Sequence, residues 1–319
     1  MPGPGAFVIG EEERKQVDEV MATGHLSRYG RDDDPKFLRK VYTLEEEFAA
    51  YSGAAHCVAT SSGTSSILVS LLALGIGRGD EVIVPAYTFV ASYSAIIFTG
   101  AVPVLAEVDE SLTLDPDDAE RRITDRTKAI MPVHMIGNPC DMDRIMDVAG
   151  RHGLWVIEDC CQAAGASYRG RKVGTIGHFG CFSLNIFKTI TAGAGGMIIT
   201  DDHERYAKAF GIHDQGHEPN RTEVTVGDRS ILGLNFRINE LTGAVALAQV
   251  RKLDTIVPAL RRQKQLFREK LGDIPGVEFR RLNDPEGECA TLLAVILPTE
   301  AKAREAAAKL STTTLEHSG

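Results

Sequence analysis

One lysine, Lys188, stands in the segment Phe182-Ser-Leu-Asn-Ile-Phe-Lys188-Thr-Ile-Thr-Ala-Gly-Ala-Gly-Gly196. Apolar neighbours desolvate an amine, and a desolvated amine releases its proton more readily and becomes a nucleophile. The glycines that follow let the backbone approach a bulky ring. The lysine precedes the glycines, so the spacing is not that of the GxxxxGK[ST] nucleotide loop. An exposed loop lysine is the bland alternative. A second candidate is Asp159, in Glu158-Asp-Cys-Cys-Gln162, directly after the apolar run 154–157. A carboxylate at the end of a buried strand is costly unless a cation pairs with it. A protonated pyridine nitrogen would serve; a structural ion pair or a metal carboxylate is equally open. The third is Ser61-Ser-Gly-Thr64, between a strand-like run and a helical one. Small residues at a helix start let N–H groups close around an anion, although serine and threonine are also common helix caps.

Taken together the three segments say more than each does alone. An anion cup, a carboxylate for a ring nitrogen and an amine for an aldehyde are the three handles of pyridoxal phosphate. Phe89, in Tyr87-Thr-Phe89, offers an aromatic face for the ring.

These segments need a frame. Residues 57–60, 81–85, 102–108, 128–134, 154–158, 180–184 and 197–200 read as strands. Helical patterns at 63–75, 89–99, 116–123, 141–152 and 204–210 alternate with them. Gly75, Gly100 and Gly153 stand where helix C-caps belong. Alternation of this kind implies an α/β fold whose mostly parallel sheet is covered on both faces, giving three layers. Ligands bind such sheets beyond the carboxyl ends of the strands, the edge where all three segments fall. A long helix is expected over 241–270, bent near Pro258, then strands near 277–281 and 290–297 and a helix over 299–309. Residues 311–319 suggest no partner elements. The expected division is a large cofactor-binding domain with an N-terminal arm over 1–250, then the start of a smaller α+β C-terminal domain over 251–319 that reads as truncated.

The 319 residues are 43% hydrophobic and 25% charged, as in an ordinary globular protein. A net charge of −9 argues against a general nucleic-acid or anionic-membrane binder. No apolar run approaches the roughly 18 residues that cross a bilayer, and residues 1–10 lack the layout of a secretory signal. Six scattered cysteines, two of them adjacent, show no zinc spacing. They read as reduced thiols of a cytoplasmic protein, with no metal site. No GxGxxG follows the first strand, which disfavours a dinucleotide-binding fold.

The ordered set SSGT, PAYTFVAS, EDCCQA, FSLNIFKTITAGAGG and GLNFRINEL resembles the sugar aminotransferases of the DegT/DnrJ/EryC1/StrS family, of fold type I, along essentially the whole chain. That resemblance implies pyridoxal 5′-phosphate as cofactor and Lys188 as its covalent carrier. It implies Asp159 against the ring nitrogen, Gln162 near the ring's O3 oxygen and Phe89 stacked on the ring. Ser62, Gly63 and Thr64 would hold the phosphate together with the Ser183 hydroxyl. Asn235 would be lent to the phosphate by a neighbouring subunit, so the active unit would be a homodimer with shared sites. Arg237 and His217 are candidate substrate contacts. The implied reaction is transfer of an amino group from L-glutamate or L-glutamine to a keto-sugar. The opening residues, Arg28-Tyr29, GTIG at 174–177 and DQGH at 214–217 resemble members acting on 3-deoxy-octulosonate, which makes that or another long-chain keto-sugar the expected acceptor.

The pattern departs from the family at Ala194, where members usually carry glutamate, and at the short C-terminal region. Two other readings follow. A sugar dehydratase on this scaffold is one, although such relatives replace the lysine by histidine. A non-catalytic regulator that keeps the fold is the other.

Overall fold

The computed structural model describes residues 2–221 and 227–312. Its centre is a seven-stranded sheet built from β1 (His56–Thr60), β2 (Glu81–Pro85), β3 (Val102–Ala106), β4 (Thr127–Ile130), β5 (Trp155–Asp159), β8 (Phe179–Ser183) and β9 (Gly196–Thr200). A small hairpin, β6 (Ser167–Tyr168) and β7 (Arg171–Lys172), separates β5 from β8. The order across the sheet is β1-β9-β8-β5-β4-β2-β3. Only β9 runs against the rest; the other neighbouring pairs are parallel. The strands are near-continuous apolar runs because both faces are covered.

Strand alternation decides which face each side chain serves. Val58, Val82, Val84, Ile157 and Ile198 point into one core with Ile67 and Leu71 of the helix Gly63–Ala73 and Phe210 of the helix His203–His213. Their strand neighbours point the other way. Ala59, Phe182, Met197 and Ile199 meet Leu44 and Phe48 of the helix Lys40–Ser52 and Leu247 of the helix Glu240–Val250. Ile83, Ile130 and Val156 meet Ile145 and Val148 of the helix Met142–His152. The sheet therefore lies between two helical layers, and its strand ends form one long rim.

The C-terminal region differs from expectation in two places. The long helix is two helices, Glu240–Val250 and Leu253–Gly272, and the break lies at residues 251–252 rather than at Pro258. Lys252, at the break, is drawn to the Val8 carbonyl at 2.8 Å and to Glu13 at 2.7 Å. Pro258 lies inside the second helix on an exposed face, where water can satisfy the carbonyl its missing N–H leaves free. The predicted strand over 290–297 shrinks to β11 (Val295–Ile296), paired antiparallel with β10 (Glu278–Phe279). The helix Glu300–Thr312 follows. Residues 313–319 lie outside the described residues.

Two longer helices, Glu11–Thr23 and Lys40–Ser52, and the short helix Pro4–Phe7 were not expected from the sequence. The first starts where the Glu13 carboxylate accepts the Gly10 N–H at 2.8 Å and ends on left-handed Gly24. Among the described residues no helix is long and apolar enough to cross a membrane. All six cysteines are free thiols.

Candidate active site

The rim of the sheet gathers the Ser61–Thr64, Asp159 and Lys188 segments. After β1 the chain turns through Ser61, whose N–H donates to the Phe236 carbonyl at 2.7 Å. Ser62 caps the helix Gly63–Ala73: its hydroxyl accepts the Ser65 N–H at 3.0 Å, and its own N–H donates to the Ser65 hydroxyl at 2.9 Å. This exchange satisfies the third N–H of the helix. The first two, on Gly63 and Thr64, have no intrahelical acceptor, and both residues line a cavity, as an anion site would require. Glycine is required at 63. A Cβ there would come within 2.7 Å of Ser183 Cβ and 2.8 Å of Cys161 Sγ. Hence the phosphate cup, the end of β8 and the turn after β5 touch at one point.

Asp159 closes β5, opposite Cys181 of β8. It is 5% exposed. Ser92 Oγ donates to it at 2.8 Å and the Cys161 N–H at 3.1 Å. No cation pairs with it among the described residues. A buried carboxylate held by two neutral donors has room for one positive partner. Ser92 sits one turn into the helix Val90–Phe98, three residues after Phe89. Sequence reasoning passed over it, because nothing local marks a contact with a residue 67 positions away.

Glu158 points to the opposite face, as strand alternation demands, and is fully buried. His134 Nε2 lies 3.0 Å from its carboxylate, which also accepts N–H groups from Gly174 at 2.8 Å, Ile176 at 2.7 Å and Gly177 at 2.6 Å. The GTIG stretch is thus a backbone cradle for Glu158. The Cys140 N–H donates to His134 Nδ1 at 3.0 Å, which leaves Nε2 as the proton-bearing nitrogen. His134, Glu158 and Cys160 place ligand-type atoms within 4.8 Å of one another. His134 Nδ1 and both Glu158 oxygens already accept N–H groups, and Cys160 Sγ lies 3.6 Å from the Glu158 carbonyl, so the cluster is knit by hydrogen bonds.

Burial alone would raise the Glu158 pKa; the hydrogen bonds from His134, Gly177 and Gly174 outweigh it and hold the carboxyl below the ordinary carboxylate range. A depressed folded pKa stabilises the protein above the unfolded value, and that stability is lost as pH falls through the folded value. Glu158→Gln puts an amide among three N–H donors. Urea denaturation should show a loss of about 3 kcal/mol at neutral pH. The gap to wild type should narrow on acidification below about pH 4.5. A gap independent of pH would refute the ionised state.

Lys188 lies in the loop after β8. Its N–H donates to the Asn185 carbonyl at 3.0 Å, and Asn185 Oδ1 accepts the Phe187 N–H at 3.2 Å. The N-terminal arm braces this loop from outside: the Gly3 N–H donates to the Ile186 carbonyl at 2.9 Å and the Gly5 N–H to the Lys188 carbonyl at 3.3 Å. Any side chain at position 3 would strike the Phe187 carbonyl. Lys188 Nζ stands 6.0 Å from the Phe89 ring centroid. Burial pushes the Cys161 thiol well up; Asp159 adds to the shift and Lys188 opposes it, so both charges act on one side chain.

A cavity of about 1080 Å³ is lined by Lys188, Phe89, Ser62, Gly63, Thr64, Gln162 and Ser183 together. Pro2, Gly3 and Phe7 of the arm form part of its wall. The Gln162 Oε1 accepts the Ile136 N–H at 3.1 Å and Nε2 donates to Met135 Sδ at 3.4 Å, which leaves the second Nε2 hydrogen as the donor available to a ligand. Asn235 and Arg237 lie elsewhere. They line a second cavity of about 510 Å³, with Arg28, Tyr29 and Arg221, that meets the first at Ala194. There Asp214 accepts from Tyr29, from Arg221 at 2.7 Å and from Arg237. His217 is 1% exposed and lines neither cavity.

The donor set fits pyridoxal phosphate: free helix N–H groups for the phosphate, an unpaired buried carboxylate for the ring nitrogen, an amide donor for O3, an aromatic face and an amine. The comparisons agree. Residues 8–317 match the DegT/DnrJ/EryC1/StrS aminotransferase family. The chain belongs to this family. It is 42% identical over 260 residues to GDP-perosamine synthase of Caulobacter vibrioides, covering 81% of this chain and 67% of that one. The chain thus spans about two thirds of that relative's length. Its fold is similar to 3-amino-5-hydroxybenzoic acid synthase, with a TM-score of 0.85, 33% identity and coverage of 95% and 78%. It is also similar to NtdA of Bacillus subtilis, solved with bound pyridoxamine phosphate, at a TM-score of 0.80, 28% identity and coverage of 95% and 68%. Like other members of the family, the protein is a pyridoxal-phosphate-dependent aminotransferase of fold type I.

Proposed function

We propose that the protein transfers an amino group from L-glutamate or L-glutamine to a keto-sugar, with Lys188 and Asp159 as its catalytic residues. The observation that carries this reading is the single cavity shared by Lys188, the cup at Ser62–Thr64, Gln162 and Phe89. When bound, the cofactor supplies an aldehyde for the amino group and a ring that accepts electrons. The chain supplies the rest. Gly63 and Thr64 N–H groups with the Ser183 hydroxyl would anchor the phosphate, and Phe89 would offer its face to the ring. Asp159, whose carboxylate is oriented by Ser92 Oγ and the Cys161 N–H, would hold a proton on the ring nitrogen. The Lys188 amine takes the proton from the donor's α-carbon and returns one to the acceptor's former carbonyl carbon. The arm and the residues around Leu260 and Leu292 narrow the cavity against water.

The likeness to GDP-perosamine synthase supports a keto-sugar acceptor. Arg237, 22% exposed beside Asp214, offers donors to an anionic handle such as the carboxylate of a 3-deoxy-octulosonate derivative. Half-reactions followed by absorbance test the reading. Glutamate or glutamine should convert the loaded enzyme's visible band, and one keto-sugar of a panel should restore it with an amine in the product. Loss of a sugar hydroxyl without amine gain would instead establish dehydration.

Asn235 lines a cavity other than that of its own chain's Lys188, so contact with the phosphate calls for a second subunit. Leu232 and Phe98, 97% and 81% exposed, are surfaces a partner copy would cover. In a homodimer with shared sites, Lys188→Ala and Asn235→Ala subunits each fail alone. Mixed after dissociation, they should regain about a quarter of wild-type turnover, because half the dimers are hybrids with one intact site. No recovery would refute the shared site.

A further inference from the structure

Ile136 is a β-branched residue in the left-handed region, at φ 54° and ψ 37°. Such a backbone costs on the order of 1–3 kcal/mol and persists only where its surroundings impose it. What imposes it lies far away in the chain. Arg280, one residue past β10 and 3% exposed, donates from one terminal nitrogen to the Met135 carbonyl at 2.7 Å and from the other to the Ile136 carbonyl at 2.8 Å. Its Nε has no acceptor, and no carboxylate forms an ion pair with it among the described residues. The neighbouring carboxylate, Glu288, is bound to Lys264. Burying a guanidinium with two carbonyls as its only acceptors is expensive, so the turn it holds is the place to look for its use.

The Ile136 N–H donates to Gln162 Oε1 at 3.1 Å, and Gln162 Nε2 rests against Met135 Sδ at 3.4 Å. The strained turn therefore grips both ends of the Gln162 amide, and Met135, Ile136 and Gln162 all line the Lys188 cavity. The same segment adds a second brace: the Cys289 N–H donates to the Gly137 carbonyl at 3.1 Å, and a side chain at 137 would collide with Cys289 Sγ. Arg280 itself does not line the cavity. We infer that Arg280 is a positioning residue that locks the Met135–Ile136 turn and thereby aims the Gln162 amide N–H at the cofactor ring. It couples the C-terminal region to the cofactor site without touching the ligand. The inference rests on the assignment of Gln162 to the ring.

The test is a double-mutant cycle read as the dissociation constant of pyridoxal phosphate for the full-length apoprotein, with the pH midpoint of the loaded enzyme's visible band as second readout. Arg280→Gln should weaken binding by about tenfold, the effect of losing one well-aimed hydrogen bond, and should shift the midpoint. Arg280→Lys, which keeps one charged donor, should fall between. In a Gln162→Ala background Arg280→Gln should add nothing. Should Arg280→Gln fail to fold, Arg280→Lys carries the same cycle. If Gln162→Ala weakens binding while the Arg280 variants match wild type, the positioning role is overturned and the role of Gln162 stands. Additive penalties overturn it as well, because Arg280 would then act on the fold at large. If Gln162→Ala itself changes neither readout, the assignment of Gln162 fails and this inference with it.

Discussion

Lys188→Ala should remove the loaded enzyme's visible absorbance band and lower turnover by a factor on the order of 10⁵–10⁶, the scale seen when a nucleophile that also moves protons is deleted. The size of the effect follows from the geometry. Lys188 is the lysine that reaches the cavity shared by the phosphate cup, Gln162 and Phe89, and among the described residues no other amine lines it. Folding should be spared, since the loop that carries Lys188 is held by backbone hydrogen bonds. The Gly3 and Gly5 N–H groups, Asn185 and the Thr191 hydroxyl all bond main chain rather than the lysine side chain. The measurement pairs a spectrum with steady-state kinetics, and near-ultraviolet circular dichroism checks the fold. Borohydride treatment of the wild-type protein should leave the cofactor attached to the peptide containing Lys188. Retained turnover in the variant, or attachment elsewhere, would remove Lys188 from its role.

The legible part of this site was the part where chemistry and chain order coincide. Ser62 and Lys188 follow strands of the sheet in which Asp159 ends β5, so a reading of strand ends already places them on one rim. The alternation of strands and helices was legible for the same reason: each strand's apolar run is local. What escaped depends on pairing across long stretches of chain. Ser92 reaches Asp159 over 67 residues and Arg280 reaches Met135 over 145. Neither partner carries a local sign of the other. Glu158 was equally silent: the pleat sends it to the face opposite Asp159, where GTIG and His134 claim it. The break at residues 251–252 was hidden because a lysine–glutamate contact with the N-terminal helix, not a helix-breaking residue, marks it. Asn235 and Arg237 could be placed near the site by resemblance, but only coordinates show that they open onto a neighbouring cavity.

Asp159→Ala should keep the fold and cost at least about 10³-fold in turnover. The reasoning starts from what the carboxylate contacts. Its donors, Ser92 Oγ and the Cys161 N–H, are neutral and come from two different elements, so removing Asp159 leaves them near a cavity where water can replace one acceptor. Stability should therefore fall by no more than about 1–3 kcal/mol. The chemical step has no such substitute. On the proposed assignment, a ring nitrogen without a buried negative charge beside it would lose its proton, and the ring would no longer draw charge from the carbon that Lys188 would deprotonate. Asp159→Glu should misplace the charge and recover only part of the rate, whereas Asp159→Asn, of the same shape, should be nearly as poor as alanine. That ordering separates electrostatics from packing. If asparagine restored turnover, the charge would be irrelevant and Asp159 would be only a scaffold for Ser92. The same series has a second expected signature. Ser92→Ala leaves the charge in place but frees the carboxylate to rotate, so it should cost about 10-fold, far less than loss of the charge. A Ser92 variant as impaired as Asp159→Ala would mean that orientation, rather than charge, limits the reaction.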